Sequence, residues 1–580
     1  AALARLARFQ AVWALAALAL IIVGFLAWPA AAGGADAGRV VIEAAEIEAA
    51  KVARVFELLN RVPGVSASTS SVSIHGSYKV KVFLDGASIT DPSSGFNAVA
   101  WDHLSPESLA RVEIILDAGG LIYGQDASAG VVLLTSKSAD KLSGGLKLYG
   151  GDYGLFRAEA DLAVASGPWG IAAQAGREEH GGYWPNEDKL IYRGSLKISR
   201  RLEEGSVSLA GSLIDDERGL FGYPAYPTPK ARKRSQLFQV GQETKWRRLT
   251  NVLSYQRGQV ANVDPSRGLS QSLTVAEAKE DLSVALKPTG WLDLTLGGGG
   301  KKGWAESSDF GQKSEHSLHA FFRAEAKTPI AGLSVSVGAR FDYNSAFKNN
   351  LNPEASLAYA KGPLTLGLKY GRAANAPSYQ QRYNRSSSTE PNPGLDLEIA
   401  DNYGLSGTYK FSQRLSVRLN LFHNRLKGRI TYDRPANSGV GQYKNLGRVV
   451  VEGGDLGLDW EIAKFLALKA NLTYARAKDL ELNKTLPGRS RLSGSSELAF
   501  RPTAGFSAIL KVDYRSRAWE DRNNTSNIPG YALYGIRAEW DLGQFSLSFS
   551  LENALNRDWL YSDGLYGPPA HFRLGLAWRF

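Results

Sequence analysis

Residues 109–137 read LARVEIILDAGGLIYGQDASAGVVLLTSK. A short helix runs into an alternating strand, Val112 to Leu116, and a glycine-rich turn follows at Gly119-Gly120. Then come Tyr123-Gly124 and Ala127-x-x-Gly130-Val131-Val132. Upstream, residues 40–138 mix strands and helices. Val40-Val41-Ile42 reads as a short strand. Ile47, Val52, Val55, Phe56 and Leu59 recur at helical spacing, predicting one helix from Glu46 to Asn60. Val62-Pro63-Gly64-Val65 stops it, as Pro and Gly do.

Downstream, from about residue 141 to Phe580, the texture changes. Segments of roughly ten residues alternate apolar and polar between turn residues. Examples are Leu146-Lys147-Leu148-Tyr149, Ser206-Val207-Ser208-Leu209-Ala210 and Leu415-Ser416-Val417-Arg418-Leu419-Asn420-Leu421. Period-two alternation puts one face to lipid and the other to a lumen. About 440 residues, at about 20 per strand with its connection, predict about 22 antiparallel strands. A barrel that wide encloses a lumen that must be filled. The last segment, His571 to Phe580, sets Phe572, Leu574, Leu576, Trp578 and Phe580 on one face and ends on an aromatic.

Composition agrees. The 61 Gly, 24 Tyr, 22 Phe and 13 Trp of the 580 residues suit many strands with aromatic girdles. Mean hydropathy is −0.22 and only one long apolar run exists, which excludes a helical membrane bundle. Cysteine is absent, which excludes disulfide scaffolds, zinc-thiolate sites and thiol catalysis and suits passage through an oxidising compartment. The formal net charge of +11 reads as a solvated surface with loops near anionic lipid phosphates, or as attraction of an anionic substrate. The basic residues are dispersed with no reader motif, so no nucleic-acid partner is expected. No catalytic triad, P-loop or HExxH is present, and the seven His are scattered; neither an enzyme, a metal site nor a cofactor is expected. Glu178-Glu179-His180 reads as a solvated charge cluster in a loop.

Residues 1–32 have the pattern of a secretory signal peptide: Arg5 and Arg8, an apolar run from Ala11 to Ala27, and Ala30-Ala31-Ala32. An uncleaved anchor is the alternative, since the run is just long enough to span a bilayer. Residues 33–39 form a Gly/Ala-rich linker.

The opening stretch resembles the end of the plug domain of TonB-dependent outer-membrane receptors. Further resemblances follow in order: Leu58-Leu59-x-x-Val62-Pro63-Gly64-Val65, Val72-Ser73-Ile74-His75-Gly76, Val82-Phe83-Leu84-Asp85-Gly86 and Leu109-x-Arg111-Val112-Glu113. Weaker echoes lie in the second region: Gly371 to Tyr379, Asn392-Pro393-Gly394-Leu395-x-x-Glu398, Glu452-Gly453-Gly454-Asp455 and Leu551 to Asn556. The resemblance implies a plug at 40–138 inside a transmembrane β-barrel at 141–580. It implies the outer membrane of a Gram-negative bacterium, with lipid and lipopolysaccharide around the wall. It also implies an extracellular small ligand, siderophore-, cobalamin- or glycan-like, and import to the periplasm driven by the TonB complex.

Two departures from the family pattern bear on mechanism. Family arginines that pair with barrel glutamates and help hold the plug are replaced here, by His75 and by Asp117-Ala118-Gly119. The acids Glu398 and Asp455 remain, so His75, Glu398 and Asp455 are the expected plug–barrel contacts, with His75 a weaker, pH-dependent partner or simply a polar residue facing the lumen. The TonB box, a segment to which the inner-membrane partner adds a strand, has one candidate, Val40, Val41 and Ile42, which also aligns with the first plug strand. Ligand contacts are expected on the loops: Phe221, Tyr223 and Tyr226 beside Arg232 and Arg234, and Tyr379, Arg382 and Tyr383 in the loop YQQRYNRSSSTE. Aromatics beside basics would grip an aromatic, anionic chelate by stacking and charge. The alternative is a structural barrel of an envelope assembly, its plug permanently seated among partner proteins and not energised by TonB.

Overall fold

The computed structural model describes residues 38–580 apart from 95–96, 100, 102–103, 118, 224–225, 387, 434–439 and 562–563. The side chains of Tyr223 and Tyr226 also fall outside the described set, as do the signal-peptide region and most of the linker.

From Ser143 to Arg579 the chain forms a closed antiparallel barrel of 22 strands. Closure comes when the last strand, His571–Arg579, pairs with the first, Ser143–Gly151, Leu576 lying opposite Leu148. No backbone edge is then left to face lipid. Turns of two to five residues join the strands at one rim, and the other rim carries all the long connections, 376–397, 428–447, 480–491, 516–530 and 553–570 among them. Outer-membrane barrels turn short connections to the periplasm and long ones outside.

Outward positions are apolar and banded. Trp169, Trp246, Trp460, Trp540 and Trp578 are exposed near the short-turn rim, and Tyr192, Tyr255, Tyr343, Tyr403, Tyr474 and Tyr534 nearer the long loops. Between them stand exposed leucines such as Leu196, Leu253, Leu296, Leu368 and Leu510. Two aromatic girdles around an aliphatic belt are what a lipid-facing wall requires. Phe572, Leu574, Leu576, Trp578 and Phe580 are all exposed on this face, as their alternation requires. Many strands exceed the ten-residue expectation: Gly205–Tyr223 and Tyr226–Trp246 have 19 and 21 residues. Charged residues on the outer face of their upper half show that this hairpin stands clear of the apolar belt.

The lumen holds a plug built on a mixed sheet in the order Arg39–Glu43, Leu109–Leu116, Gly130–Ser136, Val80–Leu84, Ala87–Ser88. Ile42, Ile47, Val55, Leu58, Leu59, Ile74, Val82, Trp101, Ile114 and Val132 form its core. The expected single helix is two, Ala44–Ala49 and Val55–Leu59. The break has a local cause and a tertiary one. Lys51 takes φ +50°, and the chain between the helices is tied to the wall by Lys51 to Glu539 (2.8 Å) and Arg54 to Glu178.

Gly130, in the stretch 109–137, has φ +146°. A Cβ there would collide with the Ile115 carbonyl oxygen and lie 2.6 Å from Ile74 Cδ1. Gly130→Ala is expected to destabilise the plug by about 1–3 kcal/mol, from strain at this φ and the clash with backbone. Faster amide exchange over 112–116 and 130–134, with the barrel strands unchanged, is the expected readout.

Candidate ligand site and plug seat

His75 follows the plug strand Val72–Ile74 and points into the wall. Its Nδ1 lies 3.1 Å from Asp117 Oδ1 of the plug and its Nε2 2.7 Å from Asp455 Oδ2 of the barrel. The ring stacks on Phe422 at 3.6 Å and 14°. All three polar residues are buried. Burial alone would lower the His75 pKa, but the charges of Asp455 and Asp117 and both hydrogen bonds outweigh it and raise it to about 10. Both ring nitrogens therefore donate, and His75 is a cation held between two carboxylates. Asn424 and Asn420 donate to Asp117 and Asp455 as well (3.3 and 3.1 Å). So His75 and Asp455 do meet, and the pairing persists through neutral pH. Glu398 lies apart. It accepts from the Ile430 backbone N–H (2.6 Å) and from Asn375 (3.2 Å), bracing the loop that follows the neighbouring strand, Leu415–Lys427.

A second tie was not legible in the sequence. Glu178 lies in the strand Trp169–His180, not in a loop, and its side chain is fully buried. Arg54 of the plug grips both its oxygens at 2.6 and 2.7 Å, and Lys189 approaches one at 2.7 Å. The surface reading of Glu178-Glu179-His180 fails because strand parity sends Glu179 outward and Glu178 into the lumen. Arg61 (2.9 Å) and Arg537 share Glu497 in the same way. Glu178→Ala leaves two cations without their carboxylate and is expected to cost about 3–5 kcal/mol. A lowered thermal midpoint for the plug, measured in detergent, checks this.

The expected ligand residues part company. Arg232 and Arg234 share the outward face of their strand with exposed Phe238, whereas Gln239 faces in and donates to the plug at Ser88 O (3.3 Å). Arg232 pairs with Asp188 (2.8 Å) and Arg234 with Asp215 (2.6 Å), so neither is aimed at the mouth. Phe221 joins an aromatic cluster, 6.4 Å from Trp184 and 6.3 Å from Tyr566, which brings the loop over 553–570 towards that hairpin. Tyr379, Arg382 and Tyr383 do come together, on a helix, Tyr379–Tyr383, started by a Ser378/Gln381 capping box. Arg382 is buried, pairs with Glu315 of the wall, and lies over the rings of Tyr383 (4.8 Å), Tyr379 and Phe347 (5.4 Å each). Burial, with the Glu315 charge, pushes the Tyr379 hydroxyl pKa up. This group clamps its loop to the wall.

The plug apex faces a different set of side chains. Tyr78, exposed there, lies under Arg489, whose guanidinium is 5.3 Å from the ring. Arg489 comes so close that a Cβ on Gly76 would lie 2.9 Å from its Cδ. Arg429 and Arg522 arrive from two other loops, Arg522 pairing with Asp479 at 3.6 Å. Arg429 makes no side-chain hydrogen bond or ion pair among the described residues. Burial pushes the pKa of Arg429 and of Arg489 down; Glu398 and Asp479 oppose this on Arg429 and Tyr78 on Arg489, while Arg522 and Arg429 respectively add to it as like charges. Guanidiniums gathered above an exposed tyrosine can attract an anion. Sequence reading missed them, although both follow a glycine in the left-handed region, Gly428 (φ +65°) and Gly488 (φ +67°). A repeated Gly-Arg at loop turns was the available signal.

The TonB-dependent Receptor Plug Domain family matches residues 35–131, and the TonB dependent receptor-like β-barrel family matches residues 140–554. The chain belongs to the TonB-dependent receptor family. It is 22% identical over 559 residues to a vitamin B12 transporter of Photobacterium profundum, covering 90% of this chain and 89% of that one. It is 23% identical over 552 residues, 84% and 83% of the two chains, to an iron-regulated outer membrane virulence protein of Vibrio cholerae. Among solved structures, a ferric enterobactin receptor variant of Pseudomonas aeruginosa in complex with enterobactin gives a TM-score of 0.79 at 17% identity, covering 94% of this chain and 100% of that one. The siderophore receptor PirA of Acinetobacter baumannii gives 0.78 at 14%, covering 94% and 98%. These structural likenesses are of fold.

Receptors of the TonB-dependent family are outer-membrane proteins of Gram-negative bacteria, and the banded outer wall described above fits that setting. The structure places the candidate TonB box as a plug strand: Val40 lies opposite Ile114 and Ile42 opposite Val112, both buried. So seated, residues 40–42 already have their backbone partner.

Proposed function

We propose that this TonB-dependent receptor binds an anionic extracellular ligand at the plug apex and passes it to the periplasm. The convergence of Arg429, Arg489 and Tyr78 carries the reading. Two guanidiniums can fork onto carboxylate or catecholate oxygens while the tyrosine stacks on an aromatic ring. An iron chelate of net negative charge fits this chemistry better than a neutral corrinoid or glycan. Among the similar proteins one is named a ferric enterobactin receptor and another a vitamin B12 transporter, so the choice of ligand class rests on the side chains at the apex. Quenching of tryptophan fluorescence on titration with a ferric tricatecholate, with cyanocobalamin as neutral comparison, tests it; equal response to both, or to neither, defeats the anion reading.

Energised import by TonB is part of the proposal, and so is removal of residues 1–32 as a signal peptide. One observation favours the alternative, a permanently plugged structural barrel: residues 40–42 are built into the plug sheet. A peptide of residues 33–48 is expected to bind the periplasmic domain of TonB and to lose that binding when Val40, Val41 and Ile42 become proline, which cannot donate to an added strand. No binding by the peptide or the whole protein favours the structural barrel.

A further inference from the structure

The short turns do not share the chain's positive charge evenly. In one sector of that rim, from turn 247–248 to turn 464–465, the turns follow one another around the wall and repeat a pattern. A large apolar side chain stands beside a cation: Trp246 with Arg248, Trp291 with Lys287, Ile330 with Lys327, Phe411 with Lys410, Phe465 with Lys464. These apolar residues are all exposed, Ile330 to 61% and Phe411 to 59%. Turn 362–363 adds Lys361, and turn 413–414 adds Arg414.

Most of these cations have no partner within the protein. Arg248, Lys327, Lys361, Lys410, Arg414 and Lys464 are exposed, and among the described residues their side chains make no hydrogen bond or ion pair. Lys287 pairs with Asp293 at 3.3 Å, and Arg247 with Glu204. Glu325 is taken by Arg323 at 3.2 Å, which leaves Glu461 as the open acid of these turns. The rest of the rim differs. Turns 167–168 and 542–544 hold no cation, and Glu203 and Glu204 offset Arg200 and Arg201. Arg501 is used by the plug, donating to the Ala49 carbonyl at 3.1 Å.

The sector continues the tryptophan girdle of the lipid-facing wall, so it lies at the level of lipid headgroups. Apolar side chains there enter the acyl boundary, and lysine and arginine reach for phosphate oxygens. Successive turns are two strands apart, about 10 Å at about 4.8 Å per strand. Neighbouring cations can therefore address separate phosphates, or the two of one lipid.

We propose that this sector is a docking surface for anionic phospholipids of the periplasmic leaflet, with the unpaired cations holding phosphates and the apolar residues anchored beside them. It gives the barrel one preferred lipid side. The inference is independent of ligand and import, since it involves neither the mouth nor the plug.

Native mass spectrometry tests it on the whole protein, stripped of lipid in detergent and titrated with cardiolipin or zwitterionic phosphatidylcholine. Cardiolipin is expected to bind at least about tenfold more tightly, several cations near a phosphate each contributing. Lys327→Gln, Lys361→Gln and Lys410→Gln together should abolish most of that preference. Lys230→Gln, Lys348→Gln and Lys484→Gln, which remove equal charge from the long-loop rim, should preserve it. No preference in the parent, an unchanged preference in the short-turn variant, or equal loss in both variants overturns the proposal. A second measurement needs no variant. A photoreactive phosphatidylglycerol in nanodiscs should label 327–333 and 410–415 of the parent and spare 541–545; even labelling of the three overturns it as well.

Discussion

Replacing Arg429 and Arg489 together with alanine is expected to weaken binding of a ferric tricatecholate by about 10²- to 10⁴-fold. Each guanidinium would supply a charge-assisted hydrogen bond of about 1.5–3 kcal/mol, and about 1.4 kcal/mol is a factor of ten. Either single replacement should cost about tenfold or more. Lysine should rescue only part of the loss, because an ammonium cannot fork onto two oxygens. The fold should survive, since among the described residues the Arg429 side chain makes no hydrogen bond or ion pair, and the side-chain partner of Arg489 is the ring and hydroxyl of Tyr78. Fluorescence titration of the parent, the alanine variants and the lysine variants checks all of this. An unchanged Kd in the double variant would remove the apex from the account.

The second large effect concerns the plug seat. His75→Leu leaves Asp117 and Asp455, both buried, without the cation between them. Removing one partner of a buried ionic group costs about 3–5 kcal/mol. The plug should therefore unfold at a lower urea concentration, read by amide exchange over 72–76, while the barrel keeps its own transition. His75→Arg should restore most of it, a guanidinium being able to serve both carboxylates.

The pH dependence has a definite sign. The folded His75 pKa, about 10, lies above the ordinary value of 6.5. Its contribution is complete below pH 6.5 and is lost as the pH rises through 10. Plug stability should thus fall between neutral pH and pH 10 in the parent protein and lose that component in His75→Leu. A parent plug insensitive to pH across this window would mean that His75 is not a cation.

Much of this architecture is legible because it repeats. Alternation marks every strand of the wall, and the end of the last strand declares its lipid face through five residues in phase. The plug is legible because its turns need particular residues, Gly130 above all, whose φ and contacts leave no room for a Cβ. The site is harder to read because its partners lie far apart in the chain. His75 and Asp455 are separated by 380 residues, and Arg54 and Glu178 by 124, so no local pattern joins them. The helix break at Lys51 has the same origin, a tie to Glu539 across the lumen. Arg232 and Arg234 teach a different lesson. Their parity with Phe238 was readable, and that alone sets them on the outer face. Arg429 and Arg489 sit in loops without periodicity, where composition says little about which side chains converge.

The central claim is that an anion is captured above the plug and carried inward. Uptake of ⁵⁵Fe as its tricatecholate chelate, in cells lacking their own receptors for it, tests this most directly. The account predicts uptake with the parent protein, loss of uptake when TonB is absent, and loss again with Arg429→Ala and Arg489→Ala at equal outer-membrane abundance. Uptake that is indifferent to both arginines, or none at all for any anionic chelate, would contradict it.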